Sequence, residues 1–413
     1  MNSSTRPFPN ELAMCVLENL HDDTEALSSC ALVCPDWLDL SRQRLFASLA
    51  VKLPPPPSAD LIRLPQTIAG LASGTSVRCP YVKTLRIYTP LNRKVEPGVL
   101  QSSLLVHLVK KLPKLQSLQL VDVDIVVEEP FENPSLPLNT LEIDFRDRMV
   151  QHPFAAAVTA LKLFSNIQNL SLKFDYSIEG QKELYLPLPV QRIGHIELEG
   201  PLAAILAYRD VSHSDSTITS MSLHPAIGKW SRLDRLGELI QDVASQLVSL
   251  ALTTGIPMLD YWKSNDSYPS HEQWQVLNLS KCTFLETFTL ILDEASFSGA
   301  SATHAGDSLL HVLSHTAKTA RTINFQIGRW PEGCVTVAES IFKPEYEAFW
   351  EQLHPILSKF PKLTEIEFWF VISESEFQEQ WRASIEKYMS SHRVKGSVSI
   401  KLRYDLAPSW ARV

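Results

Sequence analysis

The sequence predicts an α/β fold in which three short N-terminal helices precede a long alternation of strands and helices. Two observations support this prediction. Residues 8–46 can be drawn as three short helices, each with apolar residues on more than one face. From about residue 80, short apolar strand segments recur to the end of the chain, with helix-like runs between many of them. Strands that alternate with helices predict a parallel sheet on one side and helices covering the other.

The first helix is predicted to begin near Pro9, which suits a first helical turn because its missing N–H is not needed there. Leu12, Val16 and Leu20 follow at intervals of four and therefore share one face. A segment this short buries too little surface to cover its own apolar residues. Something else must cover the remaining face.

The second and third helices are separated by a proline. Asp22 is expected to cap the second helix, with Glu25 three residues later, as in a capping box. Leu27 and Cys34 lie on one stripe of that helix. Pro35 disfavours helical geometry at Cys34 and is expected to open the third helix.

This combination resembles the F-box, a three-helix module that binds a Skp-type adaptor of cullin-based ubiquitin ligases. Phe8 stands where a leucine is commoner, Cys15 stands where an aliphatic residue is usual, and Glu11 fits the pattern. The resemblance is confined to residues 8–46 of 413. It implies an adaptor-binding surface that consists of Pro9, Leu12, Val16, Leu20, Leu27, Leu32, Val33, Cys34 and Trp37. The alternative is that these helices only cap the rest of the chain.

A run of four prolines at residues 54–57 separates this module from the remainder. Such a run favours extended polyproline II, a semi-rigid spacer. We therefore predict an F-box-like module over residues 1–52, a proline-rich linker and entry segment over residues 53–79, and a repeat domain over residues 80–413.

The repeat domain contains apolar–x–apolar triplets that start 23 to 43 residues apart. Phrases such as those at residues 112–118 and 360–366 accompany the triplets and resemble the leucine-rich repeat, in which each turn of a solenoid has one strand and one helix. The resemblance implies an irregular solenoid with a parallel sheet on its concave side. The predicted strand cores are residues 85–87, 118–120, 141–143, 170–172, 196–198, 221–223, 250–252, 288–290, 323–325, 366–368 and 398–400.

Helices are expected between many of these strands. The run over residues 233–247 follows the 3.6-residue period closely. Two insertions, residues 255–275 and 328–344, interrupt the alternation, and loops of that length are usually functional or disordered. The predicted helices are residues 99–111, 154–164, 233–247, 308–317, 346–359 and 377–389.

Composition excludes several classes of protein. The chain is 45% hydrophobic and 20% charged, as expected for a globular protein. Its formal charge of −8 argues against a nucleic-acid surface, and no apolar stretch is long enough to span a membrane. There is no signal-peptide pattern, and six cysteines in a chain of this length do not form a disulfide framework. We expect a cytoplasmic or nuclear protein.

No residues point to catalysis. Phosphate-binding glycine loops, serine-nucleophile elbows and zinc-protease motifs are all missing from the sequence. His311 and His315 have a spacing that can hold zinc, but no cysteine or carboxylate pair completes a recognisable ligand set, so two histidines on a helix face is the preferred interpretation. Cys15 and Cys30, like Cys34, are expected to be small buried hydrophobic residues. We therefore predict no catalytic, metal-binding or cofactor-binding residue and no enzyme.

Residues that alternate with the strand cores should face the concave side. The middle of that face is predicted to be acidic, and aromatic residues are often anchors in protein interfaces. The candidate target-binding residues are Glu142, Asp144, Glu197, Glu199, Trp369 and, in the first insertion, Trp262 beside Tyr261.

The resemblance implies the substrate receptor of a Skp–cullin–F-box ubiquitin ligase. Its partners would be a Skp-type adaptor, through it a cullin, and an unknown protein substrate. The alternative is a non-catalytic leucine-rich scaffold whose N-terminal helices only cap the solenoid, and an enzyme with a site on the long loops is a third interpretation. Exposure of Leu12, Leu32 and Trp37 favours the receptor, whereas their burial against the repeats favours the scaffold.

Overall fold

The chain folds into two compact units, residues 1–170 and residues 171–413, in a computed structural model. Each unit is described below by itself. The structure describes residues 9–20, 23–53, 79–89, 98–126, 136–145, 153–174, 192–199, 218–224, 233–253, 271–292, 301–327, 347–372 and 399–406.

Three helices open the first unit: α1 (Asn10–Asn19), α2 (Thr24–Cys30) and α3 (Pro35–Leu45). Asp23 caps α2 by accepting a 2.8 Å hydrogen bond from the backbone N–H of Ala26. The cap predicted from the sequence was Asp22, which lies outside the described residues; the N-cap of α2 is Asp23, one residue later, whose carboxylate accepts from an N–H of the first turn. Pro35 opens α3 as predicted, and Cys34 before it is extended at φ −161° and ψ 168°.

The interior of this three-helix module is small. Ala13 and Leu17 of α1 and Leu27 of α2 are buried. Arg44 of α3 donates a 2.7 Å hydrogen bond to Glu18 of α1 and so joins the first and last helices.

A parallel sheet begins directly after α3 in the chain. Its strands β1, β2, β4 and β6 are neighbours in that order, and β3 and β5 form a separate parallel pair. The last strand, β7, begins in this unit and ends in the next. The elements are β1 (Ser48–Lys52), β2 (Thr84–Tyr88), β3 (Gly98–Gln101), α4 (Ser102–Lys110), β4 (Ser117–Val121), β5 (Val123–Val126), β6 (Leu136–Phe145), α5 (Pro153–Lys162) and β7 (Phe164–Phe174).

The second unit repeats strand and helix with a parallel sheet in sequence order. Each strand from β8 to β13 pairs with the one that follows it. The elements are β8 (Arg192–Glu199), β9 (Ser220–His224), α6 (Leu233–Val243), β10 (Ser249–Thr253), α7 (His271–Gln275), β11 (Thr287–Leu292), α8 (Ser301–His315), β12 (Thr322–Ile327), α9 (Glu347–Leu357), β13 (Glu365–Ile372) and β14 (Ser399–Leu406).

The core of the second unit is formed by strand residues that stack in register. Two rows of apolar side chains run across the sheet, and each fully buried side chain is worth about 1.5–3 kcal/mol relative to exposure. Phe325 and Phe368 stack with ring centroids 5.1 Å apart. The buried rows are Ile196, Met221, Leu250, Phe288, Ile323 and Ile366, and Leu198, Leu223, Leu252, Leu290, Phe325 and Phe368.

Helix α6 has the apolar stripe that its sequence periodicity predicts. Its stripe at Leu236, Leu239, Ile240 and Val243 is buried, as the 3.6-residue period predicts. At Gly237 the helix approaches the segment after α7 so closely that an added Cβ would lie 2.2 Å from the carbonyl oxygen of Val276.

Most of the predicted elements are present. All eleven predicted strand cores fall in strands; residue 398, the first of the last core, lies outside the described residues. The first predicted helix was wrong over residues 99–101, which belong to β3. The N–H of Gly98 donates to Thr89 Oγ1 at 2.8 Å, and β3 pairs with β5, so backbone pairing fixes this segment as a strand. Helix α8 begins at Ser301, seven residues before the predicted residue 308.

Several predicted features lie outside the described residues. They are the proline run 54–57, the insertion 328–344, the helix 377–389 and all of the insertion 255–275 except its last residues, which form α7. The predicted first module, residues 1–52, contains the strand β1, which pairs in parallel with β2.

Candidate functional site

The three-helix module exposes large apolar side chains at its surface. Leu32 is 86% exposed, Val33 66% and Leu12 52%, and Val16 is also exposed. Isolated exposed apolar residues are ordinary, but a concentration of them in so short a segment indicates an interaction surface.

The geometry of α1 explains two of these exposures. Ala13 and Leu17 are four residues apart and face the interior, whereas Leu12 and Val16, also four apart, lie on a neighbouring face in solvent. Helix α1 therefore has apolar residues on two faces; the face of Ala13 and Leu17 is buried and that of Leu12 and Val16 is exposed. Met14, which the sequence analysis did not select, is exposed on the other side of the buried face.

The turn between α2 and α3 explains the exposure of Leu32 and Val33. The N–H of Leu32 bonds to the carbonyl of Ser29 at 3.0 Å, and the N–H of Val33 bonds to that of Cys30 at 3.1 Å. These bonds tighten the end of α2, and the extended Cys34 then redirects the chain into α3. Leu32 and Val33 consequently stand at the outside of the turn.

The other predicted adaptor-binding residues divide into two groups. Pro9 is exposed, and Leu20, Cys34 and Trp37 are half-buried. Leu27 is buried at 1% exposure, so its side chain supports the interior of the module and does not form part of its surface.

Histidines and cysteines form no metal site among the described residues, where no group of three or more potential ligands converges. The rings of His311 and His315 lie 4.2 Å apart and tilted, and Nδ1 of His315 is 2.9 Å from the carbonyl oxygen of His311. The prediction that Cys15 is buried was wrong, because it lies on an exposed face of α1, and Cys30 is half-buried. Burial raises the pKa of the Cys282 thiol to about 11, so this residue is an inert part of the core.

In the first unit, the candidate acidic residues lie on β6. Glu142 and Asp144 alternate with buried Leu141 and Ile143, so the predicted strand phase is confirmed here. Glu142 is in register with Gln119 of β4. Both carboxylates are half-buried.

In the second unit, Glu197 is the centre of a polar network on the sheet. Its Oε2 accepts a 2.6 Å hydrogen bond from Ser171 of β7, and its Oε1 lies 3.9 Å from Nε2 of His224 on β9. Burial raises the pKa of Glu197, but the Ser171 hydrogen bond and the charges of Lys173 and the neighbouring histidines outweigh it, so the pKa is lowered overall. Glu197 is therefore ionised at neutral pH.

The histidines of this network are held by hydroxyl groups. Nδ1 of His195 is 2.9 Å from Oγ of Ser220, and burial lowers the pKa of His195 against the opposing effect of Glu197. The Nδ1 of His224 is 2.9 Å from Oγ1 of Thr253, and its Nε2 is 2.9 Å from Oγ of Ser222.

The contacts of His224 differ from those of a nucleophile–base arrangement. In a catalytic triad, one ring nitrogen faces the nucleophile and a carboxylate orients the other. At His224 the second nitrogen faces the hydroxyl of Thr253, and the carboxylate of Glu197 lies on the same side as Ser222. The arrangement is a hydrogen-bonded network that connects neighbouring strands.

Trp369 lies on the outward face of β13, between the buried Phe368 and the next strand residue, and is half-buried. It is in register with Gln326 of β12. Glu199 of β8 is in register with His224 of β9 on the same face. Trp262 lies outside the described residues.

No protein-family model matches the sequence, and no curated protein sequence is significantly similar to it. In the part of the chain that the structure describes, no helix is both long and apolar enough to cross a membrane.

Proposed function

We propose that this protein is the substrate receptor of a Skp–cullin–F-box ubiquitin ligase. The N-terminal helices bind a Skp-type adaptor, and the strand–helix repeats, an irregular leucine-rich solenoid in this proposal, hold a protein target. The observation that carries the proposal is the exposure of Leu12, Leu32 and Val33 in a module that resembles the F-box.

Burial of these residues by a partner would contribute substantially to binding. Complete burial of a leucine or valine side chain is worth about 1.5–3 kcal/mol relative to its exposure. Leu32 and Val33 stand on a hydrogen-bonded turn, so little conformational freedom would be lost when a partner covers them. The two residues are therefore the expected centre of the adaptor interface.

The mechanism of such a receptor is positional. It holds a target near a ubiquitin-loaded enzyme and raises the effective concentration of the target's lysines, with no bond chemistry of its own.

A second candidate is a non-catalytic scaffold in which the helices only cap the sheet. One contact favours it: Tyr81, which precedes β2, donates a 3.4 Å hydrogen bond to Asp39 of α3, so the module contacts the entry to the sheet. The exposed Leu12 and Leu32 favour the receptor, because a cap has no need of apolar residues on its outer surface. Trp37, the third residue of this comparison, is half-buried and favours neither.

The test is binding to a purified Skp-type adaptor, measured by calorimetry. The double variant Leu32→Asp/Val33→Asp should bind the adaptor with an affinity at least about tenfold lower, since charges replace the apolar centre of the interface. The matched control is Phe284→Asp, because Phe284 is 61% exposed in the second unit. Equal adaptor binding by both variants, or by a chain that lacks residues 1–50, would refute the proposal.

The target is expected to contact the outward face of the sheet. Charge reversal at Glu197 and Glu199, and separately Trp369→Ala, should abolish co-purification of targets and leave adaptor binding unchanged. An unchanged set of targets in both variants would contradict this expectation and direct the search to the long insertions.

A further inference from the structure

The outward side chains of β8–β13 form three rows that run across six strands in register. In the first two rows, the four strands between β8 and β13 carry only short, uncharged side chains. These eight residues are Ser220, Ser249, Thr287 and Thr322, and Ser222, Ala251, Thr289 and Asn324.

We call these eight residues the hydroxyl floor. Six of them have hydroxyl groups, and all are half-buried. A solvated sheet face commonly carries long charged side chains, which would hold a second chain away from it. Short hydroxyl side chains instead allow a partner backbone to come close, and they can donate to its C=O groups and accept from its N–H groups.

The edge of the floor next to β13 contains an unsatisfied acceptor. Asn324 donates from Nδ2 to Oγ1 of Thr289 at 3.2 Å. Its Oδ1 is buried and makes no hydrogen bond to any residue that the structure describes. Because this oxygen is not accessible to solvent, it adds polarity to the floor and is not itself a ligand for a bound peptide.

The two ends of the floor differ in chemistry. At β8, the carboxylates of Glu197 and Glu199 lie on the outward face, the ammonium of Lys173 lowers the pKa of Glu197, and the lowered pKa of His195 leaves that ring neutral. This end therefore presents two carboxylates to a ligand.

At β13 the acidic charge is balanced. Lys401 of β14 binds Glu365 at 2.6 Å and also interacts with Glu367. A cationic ligand would meet the like charge of Lys401 there, so Trp369 is the better anchor at this end. An aromatic side chain favours an apolar or aromatic ligand group.

We propose that the outward face of β8–β13 binds one extended peptide segment of a partner protein, which lies across the strands with a basic residue at Glu197 and Glu199 and an apolar residue at Trp369. Neighbouring strands are about 4.8 Å apart, so β8 and β13 are separated by about 24 Å along the sheet. An extended chain covers that distance in about seven residues. The inference rests on the proposed function, because the segment belongs to the protein that the receptor holds.

The test uses two fluorescent ten-residue peptides built from serine and alanine. In the spaced peptide, arginine and tryptophan are seven positions apart, and in the clustered peptide they are adjacent. Fluorescence anisotropy with the full chain should give about tenfold tighter binding of the spaced peptide, because only that peptide reaches both anchors.

Substitutions in the protein then identify the residues that contact the spaced peptide. Glu197→Gln/Glu199→Gln should lower the affinity for the spaced peptide about two- to fivefold per carboxylate, as expected for partly exposed ion pairs. Trp369→Ala should weaken it about tenfold, and Ala251→Trp should block the floor. The matched controls are Glu272→Gln on α7 and Ser245→Trp after α6, both at exposed positions away from the strands.

Several results would overturn this inference: equal binding of the two peptides, no binding of either, or equal losses in the control variants. Thermal melting verifies that each variant is folded. Adaptor binding is measured on the same samples, so a receptor that binds adaptor normally but ignores both peptides would contradict this inference and leave the proposed function intact.

Discussion

Gly237 of α6 lies against Val276 so closely that no side chain fits between them, since an added Cβ would be 2.2 Å from the Val276 carbonyl oxygen and 2.8 Å from the carbonyl carbon. A glycine inside a helix costs about 1 kcal/mol relative to alanine. The close approach of the helix to residues 276–277 explains why the chain has glycine there.

Substitution of Gly237 by alanine has two opposing effects on stability: a gain in helix propensity and a clash with Val276. Gly237→Ala should destabilise the protein by about 1–3 kcal/mol, because the backbone must move and the clash outweighs the gain in helix propensity. Chemical denaturation measures the change. Gln241→Ala, at an exposed position of the same helix, is the control and should stay within about 0.5 kcal/mol. An increase in stability for Gly237→Ala would show that the helix is not held so close.

Two leucines of the N-terminal module provide a matched pair. Leu27 is 1% exposed and Leu32 is 86% exposed, although they are only five positions apart. Leu27→Ala should cost about 2–5 kcal/mol of stability in the three-helix module, because it leaves a cavity. Leu32→Ala should leave stability unchanged and weaken adaptor binding. Hydrogen exchange in α1–α3 and calorimetric titration distinguish the two effects, and a large loss of stability for Leu32→Ala would contradict the assignment.

The sequence predicted most of the fold because the dominant signal was local. The alternation of Ile196 and Leu198 with Glu197, and its equivalents in later strands, marks a half-buried strand wherever it occurs. The stripe of α6 is equally local, since it repeats within one helix. Such patterns do not depend on how distant parts of the chain meet.

What the sequence could not predict depends on contacts between distant residues. Strand β3 is specified by its pairing with β5 and by the bond from Gly98 to Thr89, which a helix-like run of apolar residues conceals. The hydroxyl floor emerges only when the register of neighbouring strands is known. The burial of Leu27 beside the exposure of Leu32 likewise depends on how α2 packs, and both residues fit the same sequence pattern.

The network around Glu197 predicts a loss of stability in acid. The pKa of His195 is lowered below its ordinary value of 6.5, so the unfolded chain takes up this proton first as the pH falls. Stability is therefore lost from pH 6.5 down to the folded-state pKa of His195. Glu197 has a lowered pKa too, so its contribution is present above its ordinary value of 4.5 and is lost below it.

These two steps can be separated by substitution. Denaturation at a series of pH values should show that His195→Gln flattens the upper part of the decline and that Glu197→Gln flattens the lower part. His315→Gln, on α8, is the control for the loss of a histidine. A decline for His195→Gln as steep as that of the wild type just below pH 6.5 would exclude His195 as its cause.

Removal of the last strands should expose a sheet edge. Strand β11 pairs with β10 on one side and with β12 on the other, and its Phe288 and Leu290 are fully buried. A chain that ends at residue 319 leaves the β12 side of β11 with unpaired N–H and C=O groups beside an apolar face. An unprotected edge of this kind pairs readily with another chain.

We therefore expect the truncated chain to aggregate, with light scattering that rises with concentration, whereas the full chain remains monodisperse. The truncation should also destabilise the remaining strands, because each repeat is stabilised mainly by its neighbours. Hydrogen exchange of β9 and β10 measures that effect, and deletion of residues 407–413 alone, which leaves β14 intact, is the control. A monodisperse fragment of residues 1–319 with native protection in β10 would show that β12–β14 fold as an independent module.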